Sequence, residues 1–142
     1  MMNNYFIILA SGQSKRFNST KPKQFITYKN KALFEHSIDK AITSKLFKKI
    51  ILVTNDKKQI KNRFPKNVII INGGKERSDS SLKGLKYIKK YKPNNVLIHD
   101  AARPNFSIKL LKKLIKSLKN NKAVIPIINS RDSIKYKVKN QL

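Results

Sequence analysis

The sequence predicts an α/β fold, in which a mainly parallel sheet carries helices on both faces. Short runs of apolar and β-branched residues alternate with segments of helical periodicity along all 142 residues, and that alternation is typical of βαβ units. Polar, charged or glycine residues follow most of the predicted strands. Because folds of this class bind ligands at the carboxyl edge of the sheet, these residues are the first candidates for a functional site.

The predicted strands are short apolar runs, each closed by polar or glycine residues. They cover residues 4–10, 49–54, 67–71, 95–99 and 122–128. A further run at 134–138 alternates apolar Ile134, Tyr136 and Val138 with lysines, which predicts a half-buried strand. A lone strand needs a partner, so this run predicts either a longer parent protein or pairing with another chain.

Helices are predicted where apolar residues recur every three or four positions. They cover residues 31–44, 56–64, 78–91 and 107–119, and Pro65 and Pro93 end the second and the third. The last helix alternates lysines with Ile and Leu, which is typical of an amphipathic helix with a solvated face. No internal repeat or low-complexity linker interrupts the chain, so we expect one domain over residues 1–142.

The formal net charge of +26 invites a nucleic-acid partner, because basic residues bind phosphate backbones. Of the 33 basic residues, however, 28 are lysines and only 5 are arginines, the residue that phosphate recognition favours. The chain also contains 19 Ile and 15 Asn, which are amino acids of A/T-rich codons. Genome composition therefore explains the charge better than a nucleic-acid partner does.

Composition also limits the class of protein. The absence of cysteine excludes a disulfide framework, a cysteine-ligated zinc site and a cysteine nucleophile. No stretch approaches the roughly 18 apolar residues of a membrane span. The first apolar run is too short, and lacks the preceding basic residues, for a signal peptide. We therefore expect a cytoplasmic protein with no membrane partner.

The loop after the first predicted strand could bind phosphate. Ser11 and Gly12 offer backbone amides, and Lys15, Arg16 and Lys23 offer cations; together these groups suit a triphosphate. The loop contains neither GxxxxGK[ST] nor GxGxxG, and a solvated loop is the alternative. Four of the five arginines fall in the predicted edge loops, which favours the phosphate interpretation.

Asp100 directly follows the fourth predicted strand and is one of only seven acidic residues. A single carboxylate beside a triphosphate is a usual way to hold Mg²⁺, and a turn or helix-capping Asp is the alternative. The two histidines form no catalytic or metal-ligating arrangement. We expect His36 on a helix surface, and we expect His99 to pack or to orient the Asp100 loop.

Gly73 and Gly74 precede a predicted helix. They could close a tight turn, or they could let the backbone approach a flat base. Residues 78–80 would then cap the helix and leave a hydroxyl free to read the edge of a base.

Six segments carry a resemblance to a known family. They are Ile7-Ile8-Leu9-Ala10-Ser11-Gly12 with Lys15-Arg16-Phe17; Lys21-Pro22-Lys23-Gln24-Phe25; Leu33-Phe34-Glu35-His36-Ser37; Gly73-Gly74 with Glu76-Arg77 and Asp79-Ser80; His99-Asp100-Ala101-Ala102-Arg103-Pro104; and Asp132-Ser133-Ile134-Lys135. In this order they resemble 2-C-methyl-D-erythritol 4-phosphate cytidylyltransferases across nearly the whole chain. PKQF together with HDAARP is the most specific part of the resemblance.

The resemblance implies the Rossmann-like three-layer α/β/α fold of nucleotidyltransferases, with a mainly parallel sheet. It implies that CTP and 2-C-methyl-D-erythritol 4-phosphate give a cytidine diphospho-alcohol and pyrophosphate. It also implies the site residues: Arg16 and Lys23 stabilise the transition state; Ala10, Ser11 and Gly12 form the CTP loop; Gly74, Lys75 and Ser80 form the cytosine-reading segment; Asp100 binds Mg²⁺; Arg103 and Ser133 lie near the substrate phosphate. Ser11 stands where alanine is common in the family, Ser14 where a second glycine often occurs, and Ser133 in place of threonine.

The resemblance further implies that part of the site falls beyond Leu142. The family positions its substrate with one further Arg, on a β-arm shared across a homodimer, and with one further Lys near the C-terminus. Residues 134–142 match the first half of that arm. We therefore expect an incomplete domain with its C-terminal part missing, which carries the CTP half of the site and dimerises through the arm in the full-length protein.

Three alternatives remain open. Ribitol 5-phosphate cytidylyltransferases share most of these motifs, although Ala102 favours the isoprenoid enzyme because the ribitol branch tends to have a larger residue there. A sugar-nucleotide synthase would use another nucleoside triphosphate, so base selectivity identifies it. A basic RNA-binding protein would have a steep, salt-dependent affinity for RNA and no nucleotide preference.

Overall fold

The computed structural model describes residues 3–13, 21–60, 62 and 64–129. In chain order its elements are β1 (Asn4–Leu9), β2 (Thr27–Tyr28), β3 (Lys31–Ala32), α1 (Leu33–Ser44), β4 (Lys49–Val53), β5 (Val68–Ile71), α2 (Arg77–Lys89), β6 (Asn95–Asp100) and α3 (Ile108–Ser117). Short 3₁₀ turns cover Lys23–Phe25 and Lys57–Gln59. None of the described helices has both the length and the apolar character that a membrane crossing needs.

Within the described residues, the main sheet has four parallel strands in the order β5-β4-β1-β6. Leu9, at the end of β1, lies opposite Val53 of β4 on one side and opposite Asp100 of β6 on the other. The chain thus builds outward from β1 to β5 and then returns to add β6 on the opposite side of β1. A ligand crevice opens where the strand order reverses in this way.

Two helical layers cover the sheet. Successive side chains of a strand point to opposite faces, so β1 contributes to both layers. Phe6 and Ile8 belong to the cluster that includes α1 and α3, and Tyr5 and Ile7 belong to the cluster that includes Ile88 of α2. This confirms the predicted three-layer α/β/α arrangement. Burial on both faces also explains why β1 and β4 read as continuous apolar runs.

Helix α3 agrees closely with its prediction. Leu111 and Ile115 are buried, and the lysines at 109, 112, 113 and 116 are exposed. Ser107 caps the helix, because its Oγ accepts a hydrogen bond from the N–H of Leu110 at 3.1 Å. The lysine-rich pattern in this segment is therefore the solvated face of an amphipathic helix.

The predicted helix over residues 56–64 is wrong, because the only helical structure described there is the 3₁₀ turn Lys57–Gln59. Ile60 and Phe64 both pack against the α1 side of the core, and their spacing of four imitates a helical pattern. Asn62, which lies between them, donates from Nδ2 to the carboxylate of Glu35 at 2.6 Å. Side-chain contacts to α1 therefore hold this segment as an irregular connection.

The predicted strand over residues 122–128 is also wrong, since the described residues 121–129 include no strand. Ile125, Ile127 and Ile128 are 80%, 87% and 94% exposed, and Pro126 lacks the N–H that a ladder requires. Residues 122–126 instead border a cavity of about 630 Å³ beside β6 and α3. Apolar and β-branched composition by itself does not make a strand when no described strand pairs with it.

The sequence missed the β2–β3 hairpin, which pairs Thr27 with Ala32 and Tyr28 with Lys31. Lys29 and Asn30 form its turn with positive φ angles of 47° and 63°, as such tight turns require. Several predictions lie outside the described residues: the Lys15 and Arg16 part of the first loop, Ser133, and the strand or arm over 134–142.

Candidate nucleotide site

A cavity of about 220 Å³ opens between the carboxyl ends of β1 and β6. The loops after β1, β5 and β6 line it, together with a side chain from the 3₁₀ turn Lys23–Phe25. The lining residues are Leu9, Ser11, Gly12, Gln24, Lys75, Glu76, Arg77, Asp100, Ala101 and Ala102. The cavity therefore lies at the reversal of strand order, where a doubly wound sheet binds ligands.

Gln24 fixes the start of the first loop. Its side chain is 5% exposed, and Nε2 donates to the carbonyl oxygens of Ala10 at 2.9 Å and Gly12 at 2.7 Å. The 3₁₀ turn directs Gln24 inward because its neighbour Phe25 is buried edge-on against Phe34, with ring centroids 5.5 Å apart. Both donor hydrogens of one amide group thus hold two carbonyls of the same loop.

Ser80 joins the first loop to the glycine turn. Its side chain is fully buried, and its hydroxyl donates to the carbonyl of Glu76 at 3.0 Å and accepts from the N–H of Gly74 at 3.0 Å. The hydroxyl of Ser11 lies 2.7 Å away. A hydroxyl has one donor and two acceptor sites, so Ser11 donates in this pair. The Ser80 hydroxyl is then fully used inside the protein, so within residues 78–80 the hydroxyl that the sequence analysis expects to read a base edge would have to be that of Ser78.

Gly73 and Gly74 allow a close approach of two chain segments. A Cβ atom on Gly73 would lie 2.5 Å from the Cβ of Ser11, and one on Gly74 would lie 2.1 Å from the Cβ of Asp79. The carbonyl of Gly73 accepts from Lys83 Nζ at 2.7 Å. These contacts fix the turn that brings Lys75 to the cavity.

Asp100 lies at the end of β6 between two arginines. Its Oδ1 is 3.0 Å from Nε of Arg77, and its Oδ2 is 3.5 Å from Nε of Arg103. The side chain of Asp100 is 34% exposed, and those of the two arginines are far more exposed. Solvent therefore weakens both ion pairs, and each guanidinium can turn towards another anion.

His99 holds the loop after β6 in place through one hydrogen bond and two ring contacts. Its Nε2 is 2.9 Å from the carbonyl oxygen of Arg103, which can only accept, so Nε2 carries the proton. The ring stacks on Phe6 and meets Phe106 edge-on at a centroid distance of 4.6 Å. Burial lowers the pKa of His99 from its usual 6.5, although the Arg103 carbonyl and the Asp100 charge act in the opposite direction. His99 thus packs and orients the Asp100 loop, as the sequence predicts.

Asp100 fits the role of a single protein ligand for a divalent cation. No group of three or more His, Asp or Glu side chains among the described residues could form a complete metal cage. Mg²⁺ at nucleotide sites commonly uses one or two carboxylates, with phosphates and water as its other ligands. A partly exposed carboxylate at the cavity edge meets that need.

The structure thus brings Ser11, Gly12, Lys75 and Asp100 to one cavity. Ala10 and Gly74 lie just behind it, held by Gln24 and Ser80. Lys23 is exposed beside Gln24, and Arg103 contacts Asp100 from outside the cavity lining. Arg16 and Ser133 lie outside the described residues.

Two residues of this site were not singled out from the sequence, namely Gln24 and Arg77. Gln24 occurs within the PKQF segment, directly after the predicted catalytic Lys23. Arg77 is one of the four arginines in the edge loops. Both residues therefore lie in segments that the sequence analysis marked as functional, but only the fold shows what each of them contacts.

Comparisons with known proteins agree with this geometry. The family model of IspD, 2-C-methyl-D-erythritol 4-phosphate cytidylyltransferase, matches residues 5–142. A bifunctional enzyme IspD/IspF of Pelagibacter ubique is 53% identical over 99% of this chain. A 2-C-methyl-D-erythritol 4-phosphate cytidylyltransferase of Caldicellulosiruptor bescii is 34% identical over 96% of it. The chain spans 38% and 63%, respectively, of the lengths of these two relatives.

A solved structure gives the same fold. The 4-diphosphocytidyl-2C-methyl-D-erythritol synthase of Anaerococcus prevotii superposes with a TM-score of 0.81 at 29% identity. The match covers 97% of this chain and 61% of the solved one.

Proposed function

Because the chain belongs to the 2-C-methyl-D-erythritol 4-phosphate cytidylyltransferase family, we propose that it serves in the transfer of CMP from CTP to 2-C-methyl-D-erythritol 4-phosphate, a step of isoprenoid precursor synthesis. The observation that carries this proposal is the cavity between β1 and β6. It combines a loop that suits phosphates, a fixed glycine turn and a carboxylate between two arginines.

In this reaction a phosphate oxygen of the alcohol substrate attacks the α-phosphorus of CTP in line, and pyrophosphate leaves. The reaction requires no covalent enzyme intermediate, so positioning and charge neutralisation supply most of the catalysis. We assign the neutralisation of charge that grows on the phosphoryl oxygens to Arg16 and Lys23. Removal of one such group typically costs about 10²–10³ in rate.

We divide the other site residues between the two substrates, CTP and the alcohol phosphate. We assign the CTP phosphates to the loop that contains Ser11 and Gly12, and the cytosine to the turn that contains Gly74 and Lys75. Ser80 supports that turn through its hydrogen bond to Gly74. We assign the phosphate of the alcohol to Arg103 and Ser133. The exposed guanidinium of Arg103 can leave its 3.5 Å contact with Asp100 when a phosphate arrives.

Asp100 is the residue that would hold Mg²⁺. Held there, Mg²⁺ would supply positive charge that offsets the repulsion between the phosphates and the attacking oxygen. The carboxylate of Asp100 would fix the position of the cation. Arg77 pairs with this carboxylate while no nucleotide is bound. Location in the cytoplasm and a homodimer formed through residues 134–142 are part of the same proposal.

Thermal unfolding with each nucleotide tests the CTP assignment. The folded chain is heated with Mg²⁺ and CTP, UTP, ATP or GTP, and circular dichroism verifies the folded start. Free CTP at 100 times its dissociation constant should raise the free energy of unfolding by about 2.7 kcal/mol. Equal stabilisation by all four nucleotides would contradict the proposal, as would a salt-dependent preference for RNA over CTP.

The alcohol substrate needs a separate test. Ala102 lines the cavity, and alanine at this position favours the methylerythritol assignment because ribitol 5-phosphate cytidylyltransferases tend to have a larger residue there. Pyrophosphate release is measured with each alcohol phosphate at the same CTP concentration. We expect release with 2-C-methyl-D-erythritol 4-phosphate, and faster release with ribitol 5-phosphate would reverse the assignment.

A further inference from the structure

Gln24 holds the backbone of the first loop in one orientation. It lies 14 positions from Ala10, yet its side-chain amide reaches the carbonyls of both Ala10 and Gly12 at 2.9 and 2.7 Å. The amide is almost completely buried, so water does not compete for these two hydrogen bonds. Neither carbonyl can turn without leaving a buried donor unpaired.

The two carbonyls determine where two N–H groups point. The described residues contain no cis peptide bond, and in a trans peptide the N–H points opposite to the C=O. When Gln24 draws the carbonyls of Ala10 and Gly12 to itself, the N–H groups of Ser11 and Gln13 turn to the other side. No described residue accepts a hydrogen bond from either N–H.

This orientation matters for an anion. Carbonyl oxygens repel phosphate oxygens, whereas free backbone N–H groups attract them. Gln24 therefore keeps the carbonyl oxygens of Ala10 and Gly12 occupied, and it leaves the N–H groups of Ser11 and Gln13 without an acceptor among the described residues. Ser80 holds the same loop through the side chain of Ser11, so the loop is anchored at both its backbone and its side chain.

We propose that Gln24 is a positioning residue for the nucleotide phosphates, acting by turning the N–H groups of Ser11 and Gln13 towards them. The inference rests on the proposed function but concerns a separate property, the phosphate affinity of one loop. Gln24 acts through the loop backbone, and its role is distinct from that of the cationic side chains Arg16 and Lys23.

The test uses sodium tripolyphosphate, CTP and cytidine as probes, each in the presence of Mg²⁺. Calorimetry measures tripolyphosphate and CTP, and NMR titration measures the weaker cytidine. In Gln24→Met, which keeps the shape but removes both donors, we expect affinity for tripolyphosphate and CTP to fall about tenfold to hundredfold. Affinity for cytidine should change by less than about twofold, because the glycine turn is intact. Gln59→Met, at an exposed glutamine outside the cavity, is the matched control.

The outcomes separate this inference from the proposed function. An equal loss for all three probes would indicate a general structural role and overturn the inference, as would an unchanged affinity for tripolyphosphate. If the wild-type chain binds tripolyphosphate but does not prefer CTP, the proposed function fails, while the effect of Gln24→Met still decides the inference. A wild-type chain that binds no tripolyphosphate overturns both.

A measurement on the wild-type chain covers the case in which Gln24→Met does not fold. In ¹⁵N–¹H spectra the side-chain NH₂ protons of Gln24 should exchange slowly with water. Addition of tripolyphosphate should shift the backbone N–H signals of Ser11 and Gln13 more than that of Gln59. Fast exchange at Gln24, or no shift at Ser11 and Gln13, would overturn the inference.

Discussion

Ser11 and Ser80 lie 69 positions apart in the chain, and their hydroxyl oxygens are 2.7 Å apart. This contact connects the loop after β1 to the first turn of α2. The Ser80 hydroxyl also accepts from Gly74 N–H and donates to the Glu76 carbonyl. One buried side chain thus joins the proposed phosphate loop and the proposed base-reading turn.

Removal of the Ser80 hydroxyl should therefore destabilise the chain. Ser80→Ala leaves the part-buried N–H of Gly74 without its partner, and the net loss of such a hydrogen bond costs about 0.5–1.5 kcal/mol. We expect the free energy of unfolding, measured by urea denaturation, to fall by that amount. Ser81→Ala removes only an exposed bond to the Arg77 carbonyl on the same helix and should cost less than about 0.5 kcal/mol. Equal losses in the two variants would contradict the central role of Ser80.

Glycine at position 74 should be required for packing. An added Cβ would lie 2.1 Å from the Cβ of Asp79 and close to its backbone, so the turn would have to shift. Overpacking of this kind typically costs about 1–3 kcal/mol, and thermal unfolding of Gly74→Ala should show that loss. A Cβ at Gly12 meets nothing within 4 Å, so Gly12→Ala should stay within about 0.5 kcal/mol of wild type. A stable Gly74→Ala chain would mean that the turn adapts.

Asp100 should carry the metal dependence of nucleotide binding. Asp100→Asn keeps the shape but removes the charge that attracts a divalent cation. We expect the extra stabilisation that Mg²⁺ gives to the CTP complex, measured against EDTA, to disappear. Asp39→Asn removes a carboxylate of α1 that pairs with Lys31, and it should leave that extra stabilisation in place. Full Mg²⁺ dependence in Asp100→Asn would place the cation elsewhere.

His99 should make the fold sensitive to mild acid. Burial lowers its pKa in the folded state, so the unfolded chain takes up a proton near pH 6.5 while the folded chain does so only at lower pH. Stability contributed by neutral His99 is therefore complete above pH 6.5 and falls as the pH drops towards the folded pKa.

Melting temperatures between pH 7.5 and pH 5 measure this effect. His99→Gln should flatten the decline, and His36→Gln, at the helix surface, should keep it. A decline that is the same in both variants would assign the acid sensitivity to other groups.

Sequence reasoning located most of the sheet and its functional edge. Strands β1, β4, β5 and β6 were found within one residue at each end. Burial on both faces gives β1 and β4 continuous apolar runs, and the partly buried β5 and β6 are also rich in apolar residues. Asp100 and Gly12 were placed at the same edge of the sheet because each follows a strand, and the carboxyl ends of parallel strands lie at one edge. Both features depend on local sequence patterns and on one topological rule.

The errors arose where distant contacts decide the local conformation. The connection around Ile60 follows its side-chain contacts to α1, and the segment at Ile125 has no described partner strand. The sequence showed Gln24 only as part of the PKQF segment and gave no indication of its role. That role depends on the carbonyls of Gly12 and Ala10, which lie 12 and 14 positions away. Hydrogen bonds from side chains to a distant backbone leave no periodic signal in a sequence.

The pairing of β1 with β6 affects the order in which the sheet can form during synthesis on the ribosome. Leu9 and Asp100 are neighbours in the sheet, but at typical rates of synthesis Asp100 follows Leu9 by roughly 5–20 seconds. During that interval β1, β4 and β5 can assemble, while one edge of β1 waits unpaired and open to other strands. The proposed nucleotide pocket is completed only when β6 arrives, so a nascent chain should become able to bind nucleotide late and in a single step.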